Sequence, residues 1–294
     1  MMNKQRFLSF LEFEKRYSSH TILAYALEID RFLHFLSTEE IVFEEVDYRV
    51  IRHYLAVMKE NGRQASSINR SISSLRSFYK FLVREGVVTS SPMQLVHALK
   101  TPRKLPVVVE QEKIVELLDR GAMDSESFEE ARDFIILELL FGTGIRLSEL
   151  LAIQERDIDT YNRRIRIFGK RGKERLVPVH QTLLEEIRRY LILKYAQDFK
   201  NKSTYLIVTK EGKQAYRSLI YRTVRQYLGR ITSQQKKSPH VLRHTFATTL
   251  LNNGADLNAI KELLGHAGLA ATQVYTHNSV ERLKSIYKQA HPKA

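Results

Sequence analysis

The sequence predicts a mainly α-helical protein of two domains, the second holding a small antiparallel β-sheet. Three observations lead there. At 294 residues the chain is longer than one compact core usually serves. Through the first hundred positions, apolar residues recur at helical spacing between recognisable caps. Further on, that period gives way to Arg163–Phe168, where Ile165 and Ile167 alternate with arginines, and to a second short alternating stretch, Arg175–Val179.

Phe7, Leu8, Phe10 and Leu11 open the chain with one apolar face. A second helix follows Ser18–Ser19, either of which can cap it, and carries Ile22, Tyr25, Ile29, Phe32, Leu33 and Leu36. A third starts at Asp47 as N-cap, carries Ile51, Tyr54, Leu55 and Met58, and stops at Asn61–Gly62. A fourth carries Ile68, Ile72, Leu75, Phe78, Tyr79 and Leu82 and ends at Gly86. Four amphipathic helices make a bundle over residues 1–96. Residues 97–106 read as a basic linker, with Pro102 and Pro106 breaking the period. The remainder, 107–294, is a mixed domain with helices expected at 111–119, 126–141, 181–197 and 215–231. A hairpin turn at Gly169–Glu174 joins the two strands, Thr204–Val208 is expected as a third strand, and helix resumes at His240.

A net charge of +14 and a pI near 9.8 call for a polyanionic partner, nucleic acid first and an anionic membrane surface second. The chain has no cysteine, which excludes disulfides, thiolate catalysis and cysteine-ligated metals and fits a reducing compartment. Met1–Tyr17 lacks the continuous apolar stretch of a signal peptide, and no run approaches a membrane span. A soluble cytoplasmic protein is the expectation. On the fourth helix Arg76, Lys80 and Arg84 share one face, with Arg70 upstream and Ser66, Ser67, Ser71, Ser73, Ser74 and Ser77 around the apolar stripe. Arginines and short hydroxyls suit phosphates and base edges; the plainer alternative is a solvated basic face.

Several residues suggest chemistry together. Arg146 follows the break Gly142-Thr143-Gly144, near helix-end amides where an anion can sit, or where the arginine can simply pair with a carboxylate. Lys170 stands on the glycine-flanked hairpin turn as a candidate proton donor, with Lys173 its rival. His240 and Arg243 lie three apart just after Pro239. His240 and His244 raise the thought of zinc, but Val241 stands where a zinc protease motif needs glutamate and no third ligand is evident. His266 ends a helix at Gly265, and Tyr275 follows nine residues later. As a set they fit phosphoryl transfer. Arg146 and Arg243 can neutralise the non-bridging oxygens of a phosphodiester. His240 and His266 can bond the same oxygens or help deprotonate a phenol, Lys170 can protonate the leaving oxygen, and Tyr275 can attack. No cofactor is called for, since the chain clusters no carboxylates to hold a magnesium ion.

These stretches are TGIRLSEL around Arg146, GKRGKERLVPV around Lys170, HVLRHTFAT around His240 and Arg243, and LLGHAGLAATQVYTHNSVERL around His266 and Tyr275. With them the chain resembles the tyrosine recombinase (phage-integrase) family, most closely its Xer recombinases, and the N-terminal SSHTILAYALEIDRFLHFL is similar to that family's core-binding helices. The resemblance implies a helical core-binding domain and a mixed α/β catalytic domain closing as a C-shaped clamp on double-stranded DNA. It implies that Arg146, Lys170, His240, Arg243 and His266 surround the nucleophile Tyr275, that Lys170 rather than Lys173 is the general acid, and that cleavage leaves a 3′-phosphotyrosyl link and a 5′ hydroxyl. The chain departs from the pattern at Ala267 and Ala270, where related enzymes often carry serine. It further implies strand exchange by a homo- or hetero-tetramer of protomers through a Holliday junction, in resolution of chromosome dimers at the nucleoid, with a DNA translocase as a candidate activator. The last helix, from Ser279 to about Gln289, would dock on a neighbouring protomer through Val280, Leu283, Ile286 and Tyr287, or pack within its own chain. An integrase of a mobile element, a topoisomerase and a non-catalytic DNA-binding protein are the alternatives.

Overall fold

The computed structural model describes residues 2–102, 108–124, 127–169, 174–200, 203–265 and 277–293. The chain divides into two compact units, Met1–Lys104 and Leu105–Ala294.

In the first unit, α1 (Met2–Ser9) runs on as a π-helical turn, Phe10–Glu14, followed by α2 (Ser19–Thr38), α3 (Tyr48–Glu60) and α4 (Ala65–Arg84). The starts are set by side chains: Ser18 accepts from the Thr21 amide, and Asp47 accepts from the amides of Arg49 and Val50. Such caps are each worth about 1 kcal/mol. The ends fall where Gly62 and Gly86 take positive φ. Phe7, Ile29, Phe32, Ile51, Leu75, Phe78 and Leu82 fill the core. Its aromatic rings meet at tilted angles, Phe7 lying 5.2 Å from Phe78 and 5.4 Å from Phe81. The described part of the expected linker, residues 97–102, belongs with this unit. The Asn69 amide brackets Leu99, donating to its carbonyl at 2.9 Å and accepting from its N–H at 2.7 Å.

In the second unit, α5 (Gln111–Asp124) precedes α6 (Phe128–Thr143), whose N-cap is Ser127. Residues Ile135–Thr143 of α6 are buried all round, as a central helix requires. It packs against α5, α8 (Gln181–Tyr195), α9 (Arg217–Ile231) and α10 (Pro239–Asn252). The short α7 (Leu147–Leu150) leads to the sheet, β1 (Ile158–Asp159), β2 (Arg164–Phe168) and β3 (Glu174–Pro178), antiparallel in that order. The β2–β3 register runs from Arg164↔Pro178 to Phe168↔Glu174. The fold is therefore mainly α with a small antiparallel sheet, as expected, but with one strand misplaced. Thr204–Val208 makes only isolated bridges, and the third strand is β1. Leu206, Ile207 and Val208 are all buried in succession, so this run plugs the core instead of alternating across a sheet. The helix break also differs from expectation, since α6 passes through Gly142 and ends only at Gly144.

A satellite core joins α10, α11 (Leu257–Leu264) and α12 (His277–Ala290) around Phe246, Leu250, Ile260, Leu263, Leu283 and Tyr287. Leu283 and Tyr287 of the last helix thus pack within this chain, and the Tyr287 hydroxyl donates to the Gly142 carbonyl at 2.8 Å. No described helix is long and apolar enough to cross a membrane.

Candidate active site

The site begins where α6 stops. Gly144 holds φ +61°, and a Cβ there would lie 2.3 Å from Phe246 Cδ1 and 2.9 Å from Leu264 Cδ2. Only glycine satisfies both the left-handed turn and that close approach. The turn delivers Arg146 to the N-cap of α7, and Glu149 in α7 reaches back to it. Glu149 Oε2 accepts from the Arg146 backbone N–H at 2.8 Å, and Oε1 accepts from Arg146 Nη1 at 2.9 Å. Glu149 is buried and is also gripped by Arg175 of β3, Nη1 to Oε1 and Nη2 to Oε2, both at 2.9 Å. Burial alone would raise this carboxyl, but the Arg175 fork and Arg146 together hold it below the ordinary glutamate range.

Arg243 comes from the first turns of α10, which Ser238 and Pro239 start. It is half-buried, and it donates through Nη1 to the Gly144 carbonyl and through Nη2 to the Leu264 carbonyl. Burial, reinforced by the positive charge of Arg146, pushes it down to about 10, so it stays protonated at neutral pH. His240, one turn earlier, is exposed.

The C-terminal end of α11 organises these cations. Its last carbonyls have no helical N–H to accept, and the helix dipole makes that end negative. Three successive carbonyls each take a different guanidinium: Leu263 from Arg175 Nε at 3.0 Å, Leu264 from Arg243 Nη2 at 2.7 Å, and Gly265 from Arg146 Nη2 at 3.0 Å. Carbonyl dipoles orient the arginines without cancelling their charge. Among the described residues, Glu149 is the carboxylate whose charge acts on Arg243, against both Arg146 and Arg175. The cluster therefore keeps an excess of positive charge suited to an anion with several oxygens.

The structure thus brings Arg146 and Arg243 together, 97 positions apart in the chain, with His240 on the same helix as Arg243. Lys170, its rival Lys173, His266 and Tyr275 lie outside the described residues. Sequence reasoning missed Glu149 and Arg175. The signal for Arg175 was its register, for it pairs with the buried Ile167 at an inward position of β3 where the pattern asks for an apolar residue. Among the described residues, no group of three or more histidine, aspartate or glutamate side chains is set to hold a metal ion.

On α4, Arg70, Arg76, Lys80 and Arg84 are all exposed, but they are not equivalent. Arg84 is paired with Glu14 at 3.2 Å and Glu85 at 3.0 Å and lies over the Phe10 ring. Arg76 donates to the Val96 carbonyl at 2.5 Å. Two of the serines around the apolar stripe are buried, Ser71 bonding Glu28 at 2.9 Å and Ser74 lying in the packed face. A 20-residue helix turns these positions inward because they fall between Ile68, Ile72, Leu75 and Phe78 on the apolar stripe.

The profile of the Phage integrase family matches residues 108–282, and that of the phage integrase N-terminal SAM-like domain matches residues 5–86. A Listeria innocua protein named tyrosine recombinase XerC is 40% identical, covering 99% of this chain and 98% of that one. A Staphylococcus saprophyticus protein named tyrosine recombinase XerD is 36% identical, with 99% and 98% covered. The crystal structure of XerH site-specific recombinase bound to palindromic difH substrate, a post-cleavage complex, superposes with a TM-score of 0.73 at 21% identity, covering 96% of this chain and 83% of that one. That likeness bears on the fold alone.

Proposed function

This chain belongs to the phage integrase family, and we propose that it is a site-specific tyrosine recombinase of the Xer type, acting in chromosome dimer resolution. The observation that carries the reading is the pair Arg146 and Arg243, held side by side on the carbonyl end of α11 with charge to spare. A phosphodiester undergoing in-line attack gathers negative charge on its non-bridging oxygens, and two oriented guanidiniums stabilise that state more than the ground state.

The chemistry follows residue by residue. The phenol oxygen of Tyr275 attacks phosphorus while its proton passes to His240 or His266. The bond to the 5′ oxygen breaks, and Lys170 gives that oxygen a proton. The 3′ phosphate is then held as a tyrosyl ester, which conserves the energy of the broken bond. A 5′ hydroxyl of the partner strand attacks this ester by the reverse of the same steps and releases Tyr275. The charge on phosphorus is met by side chains, so the reaction runs without an added metal.

The substrate is a duplex recombination site. Arg70, Arg76, Lys80 and Arg84 of α4 contact it, and the protein works as a tetramer with its own copies or a paired recombinase. A DNA translocase is the candidate activator. Such work places the protein in the cytoplasm, at the nucleoid. The high positive charge supports the DNA-bound state.

The test is recombination between two candidate sites on one plasmid in EDTA, with Arg243→Ala alongside. Excision or inversion by the wild type, lost at least roughly 100-fold in the variant, supports the reading. Relaxation of supercoils without exchange would replace it with a topoisomerase.

A further inference from the structure

We propose that Arg175 is a positioning residue for strand cleavage, setting Arg146 and the carbonyl end of α11 against each other through one guanidinium. The proposal rests on the recombinase reading above and deepens it.

Arg175 touches both parts that must be in register. Its two Nη groups hold both oxygens of Glu149 at 2.9 Å, and its Nε holds the Leu263 carbonyl at 3.0 Å. Glu149 in turn fixes Arg146 by the backbone N–H at 2.8 Å and by Nη1 at 2.9 Å. Leu263 is followed by the carbonyls that hold Arg243 and Arg146. A single planar group therefore ties Glu149 of α7 to the α11 end, beside the direct bond from Arg146 to the Gly265 carbonyl. The chain leaves α11 directly toward His266 and Tyr275 in sequence.

Packing alone does not account for the arginine. The position faces inward on β3, paired with buried Ile167, and both Arg175 and Glu149 are almost fully buried. A buried ion pair commonly adds no more stability than apolar residues of the same volume, because both charges lose their water. What the pair adds is direction: a planar fork onto a carboxylate fixes angle as well as distance. The fit is close, since a Cβ on Gly265 would lie 3.0 Å from Arg175 Nη1.

The test is single-turnover formation of the covalent adduct on nicked duplexes at saturating DNA. It compares wild type, Arg175→Met, Arg175→Lys, Arg146→Lys and the Arg175→Met/Arg146→Lys pair. Misplacing a catalytic group by about an ångström costs roughly 100-fold, so Arg175→Met is expected to lower the cleavage rate roughly 10- to 100-fold with DNA affinity within about threefold. Arg175→Lys, which keeps the charge but not the fork, falls between. In the Arg146→Lys background, Arg175→Met costs little more, because the two act as one unit. With Arg175 gone, Glu149 loses its main counter-charge, so the ratio of the variant's rate to that of the wild type rises with pH. Should Arg175→Met not fold, the same comparison is read on Arg175→Lys. Equal losses in both Arg146 backgrounds, or a loss in DNA affinity alone, would overturn the proposal. Failure of the wild type itself to form an adduct would instead overturn the recombinase reading.

Discussion

Gly144 shows how one residue carries two demands. Its positive φ ends α6, and its missing side chain lets Phe246 and Leu264 close over the turn. Its carbonyl then receives Arg243. Gly144→Ala must place a methyl 2.3 Å from Phe246 Cδ1, so the turn or the ring has to move. The expected cost is about 2–4 kcal/mol in urea unfolding of the variant, with adduct formation falling further than the fraction folded explains. A variant as stable and as active as the wild type would contradict the description of this turn. Glycine's role here was legible from the motif, but its partner was not, because Phe246 lies a hundred positions away and no local pattern points to it.

At the scale of elements, local rules did most of the work in the first unit. Ser18, Asp47, Gly62 and Gly86 mark helix ends in the sequence and in the structure alike. They fail where the third dimension decides. Thr204–Val208 looks like a strand because it is short and apolar, yet the Tyr190 hydroxyl and the Ile153 carbonyl engage Leu206 and bind the segment into the core. The basic face of α4 was legible, but the division of labour within it was not. Arg84 and Arg76 have partners in their own unit, whereas Arg70 and Lys80 are exposed and figure in no described ion pair. Arg70→Ala and Lys80→Ala are each expected to weaken DNA binding about equally across sequences and to lower the slope of log affinity against log salt by roughly 1. An unchanged slope in both would remove these two residues from the interface.

The C-terminal tail behaves as a second element with its own pH response. His180 caps α8, its Nδ1 accepting from the Leu183 amide at 3.1 Å, and His291 Nδ1 accepts from the Lys293 amide at 3.1 Å. Both neutral rings therefore carry their proton on Nε2, near Gly142 and the buried Glu138. Burial, with Lys293 nearby, pushes His180 down to about 4; burial, with His180 and Lys293, pushes His291 down to about 3. Asp119 on α5 and Glu138 on α6 supply the acidic partners of Lys293. Because the folded values lie below the ordinary histidine value, the stability these two rings contribute is complete above about pH 6.5 and is lost as pH falls toward 4. Glu186 of α8, raised to about 8 by burial and by the charge of Glu138, works the other way and favours the folded state as pH falls. The loss is about 2 kcal/mol for each ring at pH 5. Urea unfolding at pH 7.5 and 5.0 checks this against a variant carrying His180→Gln and His291→Phe. The wild type is expected to lose about 4 kcal/mol relative to that variant between the two pH values; the same change in both would show that the rings do not carry it.

For the whole molecule, the sequence pointed to two domains, a polyanionic partner and a candidate site spread over 130 positions from Arg146 to Tyr275. Charge and residue type are local properties, so they can be read in one dimension. The support beneath the site could not be read that way. Glu149 and Arg175 look like ordinary members of a helix and a strand until the fold sets them against the end of α11. The same fold explains why two arginines can stand together without an equal number of acids, since carbonyls hold them in place while their charge stays available.

Covalent trapping decides whether Tyr275 is the nucleophile. The protein is incubated in EDTA with nicked duplexes carrying candidate recombination sites, alongside Tyr275→Phe. The nick lets the cleaved fragment diffuse away, so the phosphotyrosyl intermediate accumulates. A denaturation-resistant protein–DNA adduct is expected with the wild type and none with Tyr275→Phe. An adduct that persists in Tyr275→Phe would contradict that assignment, because another residue would then be the nucleophile.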